Sequence, residues 1–156
     1  MSKQIKLPLA EAEGLIREEL AGGGSVVINI HGTSMLPLLK EGITNVSLES
    51  PVFPLKKYQT ILYKRPDGQF VLHRILSCKK GGLVCRGDHQ AIKEFPVKKE
   101  WVIAVMTAYS KEDGWVETTS LSQKLLGAFL GKTGGLRLKL RGIKSRLCRL
   151  FGRKRA

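Results

Sequence analysis

At 156 residues the chain has room for one compact domain and an appendage, and 42% hydrophobic residues suffice for a packed core. Its formal charge of +14 is unevenly placed: residues 120–156 hold eleven Lys and Arg and no Asp or Glu, leaving sixteen basic against thirteen acidic residues on 1–119. The body is thus nearly neutral, three cysteines without metal-ligand spacing point to a reduced, cytoplasmic setting, and no apolar run approaches the ~20 residues that span a bilayer.

The opening "MSKQIKLPLAEAEGLIREEL" mixes acids and bases without an apolar stretch, so it does not read as a secretory signal. Instead it predicts an amphipathic helix over Leu7–Leu20, with Pro8 in the first turn, Leu9, Ala12, Leu15, Ile16 and Leu20 as the apolar stripe, and Gly22–Gly24 as the stop. Short β-branched and alternating runs follow: "SVVINI", "NVSLE", "YQTILYKR", "QFVLHRILSC", "GLVCRG", "WVIAVMTAYS" and "GWVETT", punctuated by "RPDGQ" and "KKGG". Cys78 and Cys85 would face each other if the hairpin closed symmetrically about "KKGGLV". Many strands with little helix between them predict a mainly β body shaped as a barrel-like or folded sheet. From Leu121 the pattern turns helical. Leu121, Leu125, Leu126, Phe129 and Leu130 form one apolar stripe, Leu140, Ile143, Leu147, Leu150 and Phe151 another, and "GKTGG" separates them. The expected organisation is a helix and linker over 1–24, a β-domain over 25–119 and a basic helical tail over 120–156.

Chemistry concentrates in "HGTSMLPLLKEG". A serine hydroxyl is a poor nucleophile unless a base takes its proton and a donor meets the oxyanion. Gly32 permits a tight strand-to-turn transition, Pro37 stiffens the exit, and Ser34 between them is a candidate nucleophile whose own N–H could meet a carbonyl. The base candidate is His73. Strand alternation puts it between Val71 and Ile75 on one face, with Phe70, Leu72 and Arg74 on the other, and partial burial would favour its neutral form. Asp88 in "CRGDHQ" is placed to orient an imidazole. Taken singly, each residue has a structural alternative: a turn serine, a core histidine bonded to a carbonyl, an aspartate closing an Asx-type turn. His31 and His73 lack a third ligand at any metal-like spacing, so neither a metal nor another cofactor is expected.

Together these segments resemble the serine peptidase superfamily of type I signal peptidases and LexA-type repressors. "GTSMLPLL" is similar to its nucleophile box, "ILYKRPDGQFVLHRIL" to the box carrying the base before an Arg, "VCRGDHQ" to its Gly-Asp-Asn box and "VIAVMTAYS" to the strand after it. The order agrees over roughly Ser25 to Tyr109. The resemblance implies a folded β-sheet barrel and a Ser34–His73 dyad, in the His-base form of the archaeal and endoplasmic-reticulum signal peptidases. It makes Asp88 an orienting or structural acid, and Gly32, Thr33, Met35 and Pro37 the oxyanion and turn support, with the Thr33 hydroxyl as a second oxyanion donor. Two positions depart from it: Ile43 follows Gly42 where those peptidases carry Asp, and His89 follows Asp88 where they carry Asn.

The implied function is endopeptidase cleavage of a peptide or protein substrate, in the cytoplasm or at the inner membrane face. One alternative is a peptidase fold that binds peptides without cutting them. Another is self-cleavage in the LexA manner at Ala21–Gly22, which stands only twelve residues before Ser34. The tail suits an anionic membrane surface. Nucleic acid is disfavoured, because Phe129 and Phe151 are its only stacking aromatics.

Overall fold

A computed structural model describes residues 2–5, 9–120 and 122–133; the side chains of 2–5 are not described. The expected helix start at Leu7 and Pro8, the Leu121 end of the first tail stripe and the second tail stripe lie outside these residues.

Nine strands and two helices make up the described fold. In chain order they are β1 (Ser2–Ile5), α1 (Leu9–Ala21), β2 (Ser25–Asn29), β3 (Asn45–Glu49), β4 (Thr60–Lys64), β5 (Phe70–Lys79), β6 (Gly82–Arg86), β7 (Glu94–Val97), β8 (Val102–Lys111), β9 (Gly114–Glu117) and α2 (122–133). The strands form one sheet in the order β1-β2-β3-β8-β4-β5-β6-β7, with β9 also on β8. Only the β1–β2 pair is parallel. The mainly β expectation holds, but the sheet does not close into a barrel: β1 ends one edge and β7 the other, and they do not pair. Two strands escaped the sequence reading, β1 and β7. The first lies in a charged stretch, and the second, "EFPV", hides behind Pro96 and three nearby lysines.

The sheet folds at β8, whose ten residues change neighbours along their length. β3 lies on one edge over Val105–Tyr109. On the opposite edge β4 pairs with Val102–Val105 and β9 takes over from Ala108. This division produces two hydrophobic clusters. The first collects Ile16, Leu20, Val26, Met35, Leu39, Leu48, Leu62, Met106 and Tyr109, and the second Ile61, Tyr63, Ile75, Cys85, Val97 and Val105. Strand β4, buried on both faces, feeds Leu62 to the first and Ile61 and Tyr63 to the second. The alternation expected in β5 is present, with Phe70 and Leu72 against the first cluster, Val71 against the second and Ile75 within it.

Helix α1 buries Ala12, Ile16 and Leu20, spaced four apart, and leaves Leu15 outside at 43% exposure. Ile16 and Leu20 alone contribute about 1.5–3 kcal/mol each by leaving water. Gly23 in the left-handed region (φ 76°) ends the helix, as expected from the glycine run. Glu13 joins α1 to β4 through Lys64 Nζ at 2.7 Å.

The tail's first segment is helical, but its stripe splits. Leu126 and Leu130 face the body while Leu125 and Phe129 face outward. Gly131, the first residue of the expected break "GKTGG", still lies inside the helix, where its missing side chain lets α2 approach the Tyr58 ring; a Cβ there would stand 3.1 Å from that ring, and the rest of the expected break, 134–135, lies outside the described residues. Cys78 opposes Leu83 and Cys85 opposes Ile75, so the two free cysteines are not cross-strand partners.

Candidate active site

Ser34 sits on the turn after β2. Gly32 occupies the left-handed region (φ 84°), as the tight-turn reading requires, and its N–H donates to Glu41 Oε1 at 2.9 Å. Met35 (2% exposed) and Leu39 (0%) sink into the first cluster and anchor the turn, while Thr33 and Pro37 are exposed. The Ser34 carbonyl accepts from His89 N–H at 2.8 Å, which ties the turn to the loop after β6.

That loop brings the site together. A Cβ on Gly87 would lie 2.6 Å from the Ser34 carbonyl oxygen and 3.1 Å from His73 Nε2. Only glycine therefore lets the Ser34 turn and the imidazole come this close. Ser34 and His73 share the wall of a cavity of about 190 Å³, with His31, Phe70, Leu72 and Gln90 around them.

His73 itself is buried at 1% exposure. Its Nδ1 lies 3.0 Å from Glu94 Oε1 and 3.2 Å from the Tyr63 hydroxyl. Glu94 is the first residue of β7, opposite Cys85, which in turn opposes Ile75, the residue two beyond His73 on the same face of β5. Two strands thus carry the carboxylate to the imidazole. Arg65 clamps Glu94 from the far side, Nε to Oε2 at 2.9 Å and Nη2 to Oε1 at 2.6 Å.

The electrostatics follow from this geometry. Burial pushes the Glu94 carboxyl up, but hydrogen bonds from Arg65 and Tyr63 and the charges of His73 and Arg65 outweigh it and hold the group below its ordinary range. Burial lowers His73 despite the opposing pull of Glu94, so the imidazole rests neutral. An ionised Glu94 accepts at Nδ1, which puts the ring proton there and leaves Nε2 as the acceptor toward the Ser34 side. The Tyr63 hydroxyl, raised by burial and by Glu94, stays protonated as a donor.

Asp88 has a different partner. Arg74 Nε donates to Oδ1 at 2.8 Å and Nη2 to Oδ2 at 2.6 Å, with both side chains at most 5% exposed. Asp88 is thus paired with Arg74, and the carboxylate beside His73 Nδ1 is that of Glu94. Arg74 Nη1 also donates to the Tyr58 carbonyl at 3.0 Å, and Gly127 of α2 packs directly on it. Sequence reading missed Glu94, Arg65 and Tyr63. The available signal was an acid inside a short alternating run just after the Asp88 loop, but Pro96 concealed the strand. Among the described residues no three His, Cys, Asp or Glu side chains assemble to hold a metal ion. Comparison with protein-family models, with curated proteins and with solved structures returns no match to this chain.

Proposed function

We propose that the protein is a serine endopeptidase, a signal-peptidase-like enzyme of the His-base kind, in which Ser34 is the nucleophile, His73 the general base and Glu94 the residue that orients the base. The observation that carries this reading is the placement of the His73 ring, with Nδ1 beside Glu94, Nε2 beside the Gly87 contact to the Ser34 carbonyl, and Ser34 on the wall of the same cavity. His73 Nε2 takes the Ser34 hydroxyl proton as Oγ attacks the scissile carbonyl carbon. The Ser34 N–H, with the Thr33 hydroxyl as a second donor, faces the oxyanion. The C–N bond then breaks as the imidazolium returns its proton to the leaving amine, and water, activated by the same nitrogen, hydrolyses the acyl-enzyme. Glu94 stabilises the imidazolium in both halves.

The substrate is an extended peptide. β5 pairs with β4 along Phe70–Arg74 but with β6 only from Arg74 onward, so the other edge of Phe70–His73 has no strand partner among the described residues. That edge borders the Ser34 cavity, where a peptide can add as a strand. A cavity of about 190 Å³ suits a small side chain.

Labelling with a fluorophosphonate, together with cleavage of a leader-like peptide library, tests the proposal. Wild-type protein labels at Ser34 and cuts; Ser34→Ala and His73→Ala do neither. Cutting that survives both substitutions overturns it. The near-complete burial of His73 favours a second reading, a module that binds peptides without cleaving them, and folded wild-type protein that binds library peptides yet never labels would establish it. Self-cleavage at Ala21–Gly22 is disfavoured: the bond lies in the hydrogen-bonded end of α1, and β2 behind it is paired on both edges. Its signature would be a shortened mass after prolonged incubation.

A further inference from the structure

Helix α2 has two faces of opposite character. Its inner face is clamped to the body. Leu130 is 2% exposed, Gly127 packs on Arg74 and Gly131 on Tyr58, Arg86 Nη2 donates to the Gly131 carbonyl at 2.8 Å, and the Tyr109 hydroxyl donates to Gln123 at 3.1 Å. The outer face shows Leu125 at 64% and Phe129 at 56% exposure, one turn apart, flanked by exposed Lys124 and Lys132. Across a groove of about 570 Å³ lined by Leu126 and Leu130 stands Ile43, 70% exposed, at the far end of the Ser34 turn. The groove also carries Lys40 and Lys111 against Glu112 and Asp113, which cancel. The surplus charge therefore comes from α2 and from residues 134–156, where nine Lys and Arg occur without one acid.

We propose that the outer face of α2, together with Ile43, is a docking surface for an anionic lipid bilayer. Leu125, Phe129 and Ile43 enter the boundary between headgroups and acyl chains, and the surrounding cations meet lipid phosphates. Charge complementarity selects this occupant. A second copy of the chain would bring two strongly basic segments together, and a nucleic acid would gain nothing from exposed Leu125 and Ile43. Ile43, which stands where the resemblance expects an acid, has its use here, since a carboxylate would be repelled by anionic lipid. Because the inner face of α2 is fixed to the body, docking also holds the Ser34 turn beside the bilayer. The proposal does not depend on peptidase activity.

Flotation of the full chain with phosphatidylglycerol-containing vesicles and with pure phosphatidylcholine vesicles tests it, each at physiological salt. Wild-type protein floats with the anionic vesicles only. The double variant Leu125→Ser/Phe129→Ser loses about ten-fold or more in partitioning, and Ile43→Asp loses less, about three-fold, because it removes one apolar contact and adds one repelled charge. Thermal melting of both variants checks that each remains folded. Equal flotation with neutral vesicles, no flotation at all, or unchanged partitioning of both folded variants overturns the proposal. So does release of the protein from anionic vesicles by an equal charge of duplex DNA, which would identify nucleic acid as the partner.

Discussion

Two arginine–carboxylate forks lie close together and do different work. Arg74–Asp88 is sealed: both partners are buried, both carboxylate oxygens are engaged, and the remaining guanidinium nitrogen holds the Tyr58 carbonyl beneath α2. Arg65–Glu94 has the same fork geometry but sits at the cavity, with each side chain 20–30% exposed, and Glu94 Oε1 still has capacity for His73. Each carboxylate has about four acceptor positions and gives two of them to its arginine; Glu94 puts another beside His73 Nδ1, so it can hold structure and also set a tautomer.

Breaking the sealed fork has the largest effect. Asp88→Ala leaves the Arg74 charge buried without its counter-ion and costs ~3–5 kcal/mol, read as a fall in the urea midpoint. Because residues 87–89 carry the Ser34 contacts, its activity falls with its stability.

Glu94→Gln separates the forks more sharply. Cleavage falls by about 10²–10⁴-fold, as when the orienting acid of a serine hydrolase is neutralised, while the melting temperature changes far less than in Asp88→Ala. The pH profile supplies a second readout. Burial lowers His73 below the value it has in the unfolded chain, and Glu94 is likewise lowered. In both cases the unfolded chain takes up the proton first, so stability is full at neutral pH. The His73 share declines as pH drops below about 6.5 and the Glu94 share below about 4.3, each until its folded-state value is passed. The acid limb of kcat/KM lies below the ordinary imidazole range, and Glu94→Gln moves it lower still because it removes an anion that raises His73. An acid limb that stays in place in this variant would mean Glu94 does not act on His73.

The smallest effect is at Gly127. A leucine there raises helix propensity but places its Cβ 2.9 Å from Arg74 Nη1, so α2 lifts from the sealed fork. The expected cost is ~1–3 kcal/mol, with faster proteolysis in 122–133 and a modest loss of cleavage. Proteolysis at the wild-type rate would show that α2 does not rest on this pair.

Much of this arrangement was legible before any coordinates. β-branched alternation marked seven of the nine strands, and α1 was evident from its stripe and glycine stop. Ser34, His73 and Asp88 stood out because each lies in a box with its own turn or strand signature. Glu94 did not, since a carboxylate in a run crowded with lysines looks like a solvated face until β7 pairs with β6 and turns it inward. Gly131, the first residue of "GKTGG", gave no sign that the helix would run through it. Glycine lowers helix propensity locally, and only the Tyr58 ring beneath it explains why the helix passes through. Closure of the sheet was beyond the sequence as well, because edge pairing depends on strand order rather than on any strand's composition.

The fold at β8 has a consequence for how the site ages and warms. Ser34 is anchored through Met35 and Leu39 in one cluster, whereas His73 belongs with Tyr63 and Ile75 in the other. In the proposed mechanism the proton would travel between groups anchored in different clusters, so the reaction would gauge their alignment. A slackening that slides one cluster by a fraction of an ångström against its neighbour would silence the proposed dyad while both clusters are still intact.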